Sequence, residues 1–212
     1  MKQTLWGMVL LSILAVPAFA SPITINFEGQ VTSVQATGIG IIDASLPLFG
    51  SYTFESTLSD ACNPPVYVPN LGCYGPIDAF TMTIGTFSST LNLAQGWNQI
   101  WVYNDSDFLS VGASDDGYLL EVGLSSPGLS LFRIRLHDLS ATAFSGESLP
   151  LTAPDLASFP DLNNWELDLD NLVAAGGKFT SFTLAPVPIP PAVWLFGSAL
   201  GVMGWMRRKA TS

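Results

Sequence analysis

One histidine limits the nucleophilic chemistry open to this chain. Any Ser-His-Asp arrangement must use His137, and no G-x-S-x-G elbow occurs. Asp138 follows His137, but neighbours on a strand point to opposite faces, so the two cannot orient one another directly. His137 is therefore read as a wet-face strand residue beside Arg133 and Arg135, and no catalytic residue is assigned. Glycosidase chemistry needs two carboxylates about 5–10 Å apart, one with its pKa raised by burial. Glu28, Glu55, Glu121, Glu147 and Glu166 could contribute to such a pair. The alternating acids Glu166, Asp168 and Asp170 fit better as a solvated strand face, the default for antiparallel sheets.

Clustered oxygens make calcium the most plausible small ligand, at Asn104-Asp105-Ser106-Asp107 and Asp115-Asp116-Gly117. Neither run matches the EF-hand pattern, and both carry the turn chemistry of Asn, Asp and Gly, so no metal is assigned. Trp97, Trp101, Tyr103 and Tyr118 lie close to these turns. Sugar rings stack on aromatic faces, so Trp97, Trp101 and Tyr103 with Asp105, Asp107, Asp115 and Asp116 form a candidate lectin-like patch. Trp101 and Tyr103 share one face of a strand and Val102 takes the other, and aromatic residues in sandwiches more often belong to the core. Cys62 and Cys73 flank a proline-rich loop. A zinc site lacks ligands beyond His137, whereas a disulfide closing about 12 residues would stabilise the fold by roughly 3 kcal/mol.

The elements that must position these residues are strands. Ile23, Ile25 and Phe27 alternate with polar neighbours, as do Phe80, Met82 and Ile84, and Trp165, Leu167 and Leu169. Phe132, Ile134 and Leu136 alternate with Arg133, Arg135 and His137. Further runs at 51–57, 99–103, 108–113, 118–124 and 178–184 are bounded by Gly, Asn, Asp or Pro clusters, giving roughly nine strands. No long stretch between the termini shows a helical apolar stripe, and no repeat recurs at a fixed period. Many short strands with few long crossovers predict an all-β, antiparallel, jelly-roll-like β-sandwich, with a barrel as the alternative. Residues 146–161, with Pro150, Pro154 and Pro160, read as a long surface connection before the last two strands.

Composition bounds the partners. The chain has 212 residues, 48% of them hydrophobic and 11% charged, with a net charge of −10. Between the end segments, Arg133, Arg135 and Lys178 face all 17 acidic residues, which leaves that body at −14. Such a body repels nucleic acid and anionic lipid. Lys2, the apolar run from Leu5 to Val16, and Ala18-Phe19-Ala20 have the three parts of a secretory signal over residues 1–20. Cleavage is expected between Ala20 and Ser21, with the ectodomain spanning 21–186.

At the other end Val187-Pro188-Ile189-Pro190-Pro191 precedes an apolar stretch, Ala192 to Met206, and then Arg207-Arg208-Lys209 in a basic tail, 207–212. The apolar stretch makes a helix of roughly 22 Å, short of a hydrocarbon core near 30 Å, so it barely spans. The basic triplet leaves the body outside by the positive-inside rule. Residues 187–212 closely resemble the bacterial PEP-CTERM sorting signals, in the VPLPA-CTERM variant. Ile189 stands where that variant has Leu, and Pro191 precedes Ala192. The resemblance implies recognition by an exosortase-type membrane protease of a Gram-negative bacterium and delivery to the cell surface or extracellular matrix. An ordinary single-pass anchor is the alternative. The resulting expectation is an exported surface or matrix protein without enzymatic activity, structural or adhesive, and associated with extracellular polysaccharide. The opposing class is a carbohydrate-active hydrolase using a carboxylate pair.

Overall fold

Period-two alternation becomes a sheet with one dry face. The computed structural model describes residues 21–35, 42–62, 70–94, 98–106, 114–169, 172–186 and Ser198. Within them the strands are β1 (Pro22–Val34), β2 (Pro47–Glu55), β3 (Leu71–Tyr74), β4 (Ala79–Ile84), β5 (Phe87–Thr90), β6 (Asn98–Ser106), β7 (Asp115–Gly123), β8 (Leu129–Asp138), β9 (Leu162–Leu169) and β10 (Leu172–Leu184). Ile25 and Phe27 of β1, Tyr52 and Phe54 of β2, and Phe132, Ile134 and Leu136 of β8 all point into a single core. Their polar neighbours face outward, as the sequence pattern requires. Deleting one of these rings, for example Phe132→Ala, would cost about 3–5 kcal/mol.

All strands join in one antiparallel sheet, in the order β3-β6-β7-β8-β9-β10-β1-β2-β4-β5. Two separate sheets were expected, but the ladder is continuous through β9, β10 and β1. Register shifts cluster at that bend, between Glu28 and Gly29, between Val31 and Ser33, and between Val173 and Ala175. Each extra residue increases local twist, so the sheet curls instead of breaking. Gly177 lets the corner close: a Cβ there would lie 1.9 Å from the Gln30 carbonyl oxygen and 2.7 Å from the Trp165 indole nitrogen.

The curl brings the two arms face to face. Phe80 and Phe132 have ring centroids 5.2 Å apart, and the Tyr52 and Tyr118 hydroxyls share a buried hydrogen bond of 2.9 Å. Burial raises both phenol pKa values, so this pair stays neutral at physiological pH. Along the seam Leu91 bridges Leu124, Ser125 N donates to Thr90 O at 3.0 Å, and Ser126 Oγ donates to Ser89 Oγ at 2.9 Å. The β5 edge is thus covered by the β7–β8 hairpin, which protects an otherwise open strand.

The short strands β3 and β5 were not foreseen, because four residues are too few to display a period. The long connection between β8 and β9 is present and holds only the 3-10 turn Leu156–Ser158. Cys62 and Cys73 form the disulfide, with Cα atoms 5.2 Å apart. No helix among the described residues is long and apolar enough to cross a membrane. The segment with Ala18 and Ala20, the motif Val187 to Pro191, the apolar stretch 192–206, the triplet Arg207, Arg208 and Lys209, and the run 108–113 lie outside the described residues.

Candidate functional site

Three polar regions could carry function: the acidic end of β6 and β7, the outer face of β7 to β9, and the corner where β9 leaves β10. At the acidic end, Tyr103 and Asp115 are fully buried, as is Asp116. The Tyr103 ring lies over Gly117, where a Cβ would come within 1.9 Å of the ring carbon Cζ; only glycine admits it. The His137 ring packs against Tyr103 at 6.0 Å, and its Nε2 meets Asp115 Oδ2. Burial, then the Asp115 carboxylate, pushes the Tyr103 phenol well above its usual pKa. The expected wet-face position for His137 is thereby corrected: it shares the arginines' face, but Gly117 leaves space for Tyr103 to cover it.

The other acids of this end hold loops. Asp116 Oδ1 accepts from the Asp105 backbone N–H at 2.8 Å, and Oδ2 accepts from Phe144 N–H at 2.6 Å. Asp138 accepts from the backbone N–H groups of Ser140 at 2.9 Å and Thr142 at 2.8 Å, and from both hydroxyls. The Ser140 hydroxyl, joined by these other donors, holds the Asp138 carboxyl far below the usual carboxylate range. Asp105 sits at a positive φ of 48°, a turn position that Asp tolerates. Among the described residues the one group of three possible metal ligands is Asp60, Cys62 and Cys73. Its sulfurs are bonded to each other, and Asp60 Oδ1 accepts from both cysteine N–H groups at 2.9 Å. Asp105, Asp115 and Asp116 thus serve turns and a buried pair. Of the lectin-like patch, Trp101 is partly exposed, Tyr103 has no free face for a sugar, and Trp97 and Asp107 lie outside the described residues.

The outer face of β7 to β9 is a closed charge ladder. Arg133 Nε donates to Glu121 Oε1 at 2.9 Å, its Nη1 reaches Asp168 Oδ2 at 2.6 Å, and Glu166 Oε2 lies 3.7 Å away. Arg135 Nη1 donates to Glu166 Oε1 at 2.9 Å. Burial by itself would lower the Arg133 pKa, but Glu121 and Asp168 outweigh it and hold the guanidinium above its usual value. Asp168 is only 4% exposed, so the expected solvated acidic face is instead paired. Register explains it: Glu121 pairs with Arg133, and Arg133 with Glu166, in adjacent strands. Directly opposed charges on one sheet face attract, a signal available once the strand pairing is known.

At the third region β9 and β10 part. Their pairing ends at Trp165 and Gly177, although β9 begins three residues earlier. Asn163 spans the gap: its Nδ2 donates to Phe179 O at 3.0 Å and its Oδ1 accepts from Phe179 N–H at 3.2 Å. Beside this bridge lies an open groove of about 660 Å³. Its polar wall includes Thr32, Ser33, Gln35, Asn164 and Lys178, and the connection at Leu156 to Asp161 forms a rim. Lys178 is exposed and makes no ion pair among the described residues. Asp161 and Glu166 also line the groove. Four residues separate them, and Asp161 precedes the strand that carries Glu166. Asp161 Oδ2 accepts from Leu139 N–H at 2.7 Å, and Glu166 belongs to the arginine ladder. This groove was not anticipated from the sequence. The pair Asn163-Asn164 ahead of an alternating strand, and Gly176-Gly177 in its partner, were the available signals of a ladder that stops early.

No family model, curated protein or solved structure matches this chain.

Proposed function

We propose that this protein is an exported cell-surface or matrix component, sorted by an exosortase-type protease through residues 187–212, whose β-domain associates with extracellular polysaccharide and performs no catalysis. The disulfide between Cys62 and Cys73 carries this reading, because such bonds form and persist in oxidising compartments. It agrees in direction with the secretory pattern of residues 1–20 and the tripartite end. The curled sheet serves as a jelly-roll-like sandwich whose two arms act as layers, displaying polar outer faces. Support for binding over hydrolysis comes from the carboxylates: Glu121, Glu166 and Asp168 are held by arginine, and Asp116 and Asp138 by loop N–H groups.

Mass spectrometry of the mature protein tests the address. A chain starting at Ser21, with the disulfide intact and residues after the proline motif removed, is the expected result. Neutral replacement of Arg207, Arg208 and Lys209 should leave an unprocessed precursor in the membrane fraction. Normal processing of that variant, or full-length protein with reduced thiols in the cytosol, would defeat the proposal.

A further inference from the structure

We infer that the groove between β9 and β10 is the binding site for an acidic polysaccharide of uronate-type sugars, with Lys178 as the pairing cation. This inference rests on the polysaccharide association proposed above and names its site and ligand class. Three observations converge on it.

The first is where cations remain free. Within the described residues the basic side chains are Arg133, Arg135 and Lys178. Both arginines are engaged by Glu121, Glu166 and Asp168. Lys178 alone among them is exposed and unpaired, and it stands in the groove wall. A sugar carboxylate entering here meets one ammonium that no carboxylate among the described residues pairs with, while Asp161 and Glu166, which also line the groove, are engaged by Leu139 N–H and by Arg135. Charge-assisted hydrogen bonds of this kind are the strong ones.

The second is the rest of the wall. Gln35 and Asn164 offer amides, and Thr32 and Ser33 offer hydroxyls, which can both donate to and accept from sugar hydroxyls. Asn164 Oδ1 has no hydrogen-bond partner in the fold, although the atom is shielded from solvent. An acceptor left unmet is costly, and a sugar hydroxyl donating to it would recover part of that cost. Asn163, by contrast, both donates to and accepts from Phe179 and maintains the gap.

The third is the balance of charge against hydroxyls in the ligand. The body carries 17 acidic residues against these three basic ones, so it opposes a polyanion with a phosphate every few ångströms. A uronate chain carries its charges at a comparable spacing but sets hydroxyls between them, which the amides and hydroxyls of the groove wall can bond. At physiological salt, screening beyond about 8 Å weakens the repulsion from the body while leaving a contact ion pair largely intact.

The experiment titrates the mature exported protein calorimetrically, at about 0.15 M salt, with polygalacturonate fragments and with dextran of matched length. Lys178→Gln and Lys178→Arg are compared with the wild type. The expected result is binding of polygalacturonate over dextran, weakened about tenfold in Lys178→Gln, the equivalent of one charge-assisted hydrogen bond, and kept in Lys178→Arg. Thermal midpoints should be unchanged. Polygalacturonate binding that ignores Lys178→Gln would place the site elsewhere and sink the groove while sparing the polysaccharide reading. Equal affinity for dextran would overturn the acidic class. Failure of both polymers to bind would remove polysaccharide association itself, and the groove with it.

Discussion

The arginine ladder on β7 to β9 and the groove between β9 and β10 share strand β9 and Glu166, yet they differ in what their polar groups still lack. In the ladder every guanidinium faces carboxylates within hydrogen-bond reach, and Asp168 is nearly sealed from water. In the groove an ammonium is exposed and unpaired among the described residues. Polar groups that satisfy one another hold structure together and offer nothing to a ligand. Groups left unsatisfied at an open surface are available for recognition. Substitutions should therefore separate the two regions: the ladder governs stability, and the groove governs binding.

The largest effect is expected from Arg133→Met. It strands Glu121, Asp168 and part of Glu166 without their shared cation, and losing one partner of a largely buried pair should cost about 3 kcal/mol in urea unfolding. Adding Asp168→Leu should recover part of that loss, since the most deeply buried orphan charge is then gone. A change below about 0.5 kcal/mol in Arg133→Met, the range of ordinary surface substitutions, would show that the ladder is no more than a surface ion pair.

Next is the acidic end, where Asp138 is likewise held by groups within the fold. The folded-state pKa of Asp138 lies below its unfolded value, so its contribution is present above the unfolded carboxylate pKa of about 4. That contribution fades as pH falls through the folded value. Asp138→Asn should therefore lower the thermal midpoint at pH 7, and the gap from wild type should narrow steadily below about pH 4. A gap that stays constant down to pH 2 would separate the loop contacts from the ionised carboxylate.

A smaller effect is predicted for Glu121→Gln, which weakens one arm of the ladder while Asp168 still holds Arg133. A loss of about 1 kcal/mol is expected. Lys178→Gln should have the smallest effect on stability, within about 0.5 kcal/mol by chemical denaturation. A larger loss would mean that Lys178 supports the fold, and the contrast between the two regions would blur.

Much of the fold was legible because the alternation is strong. Phe132, Ile134 and Leu136 face the core, and Arg133 and Arg135 face away, as their sequence positions require. The cysteine pair could likewise be read from the expected export to an oxidising compartment and the missing zinc ligands. Less of the site was legible. Asp116 and Tyr103 looked available to a ligand because acidic turns and strand aromatics are indistinguishable in sequence from solvent-facing ones. Their burial depends on Gly117 and on the loop carrying Phe144, which folds back over Asp116.

The sequence by itself determined strand character, the sign of the charge on the body, the disulfide, and which side chains share a face. Those properties depend on near neighbours, on side-chain chemistry and on a two-residue period, all local. Only the tertiary structure decided that the sheet curls without splitting, that Arg133 finds three acids, and that β9 leaves β10 at Trp165 to open a groove. These outcomes depend on register between strands far apart in the chain. Register is set by bulges and close approaches such as that of Gly177, which no local pattern encodes.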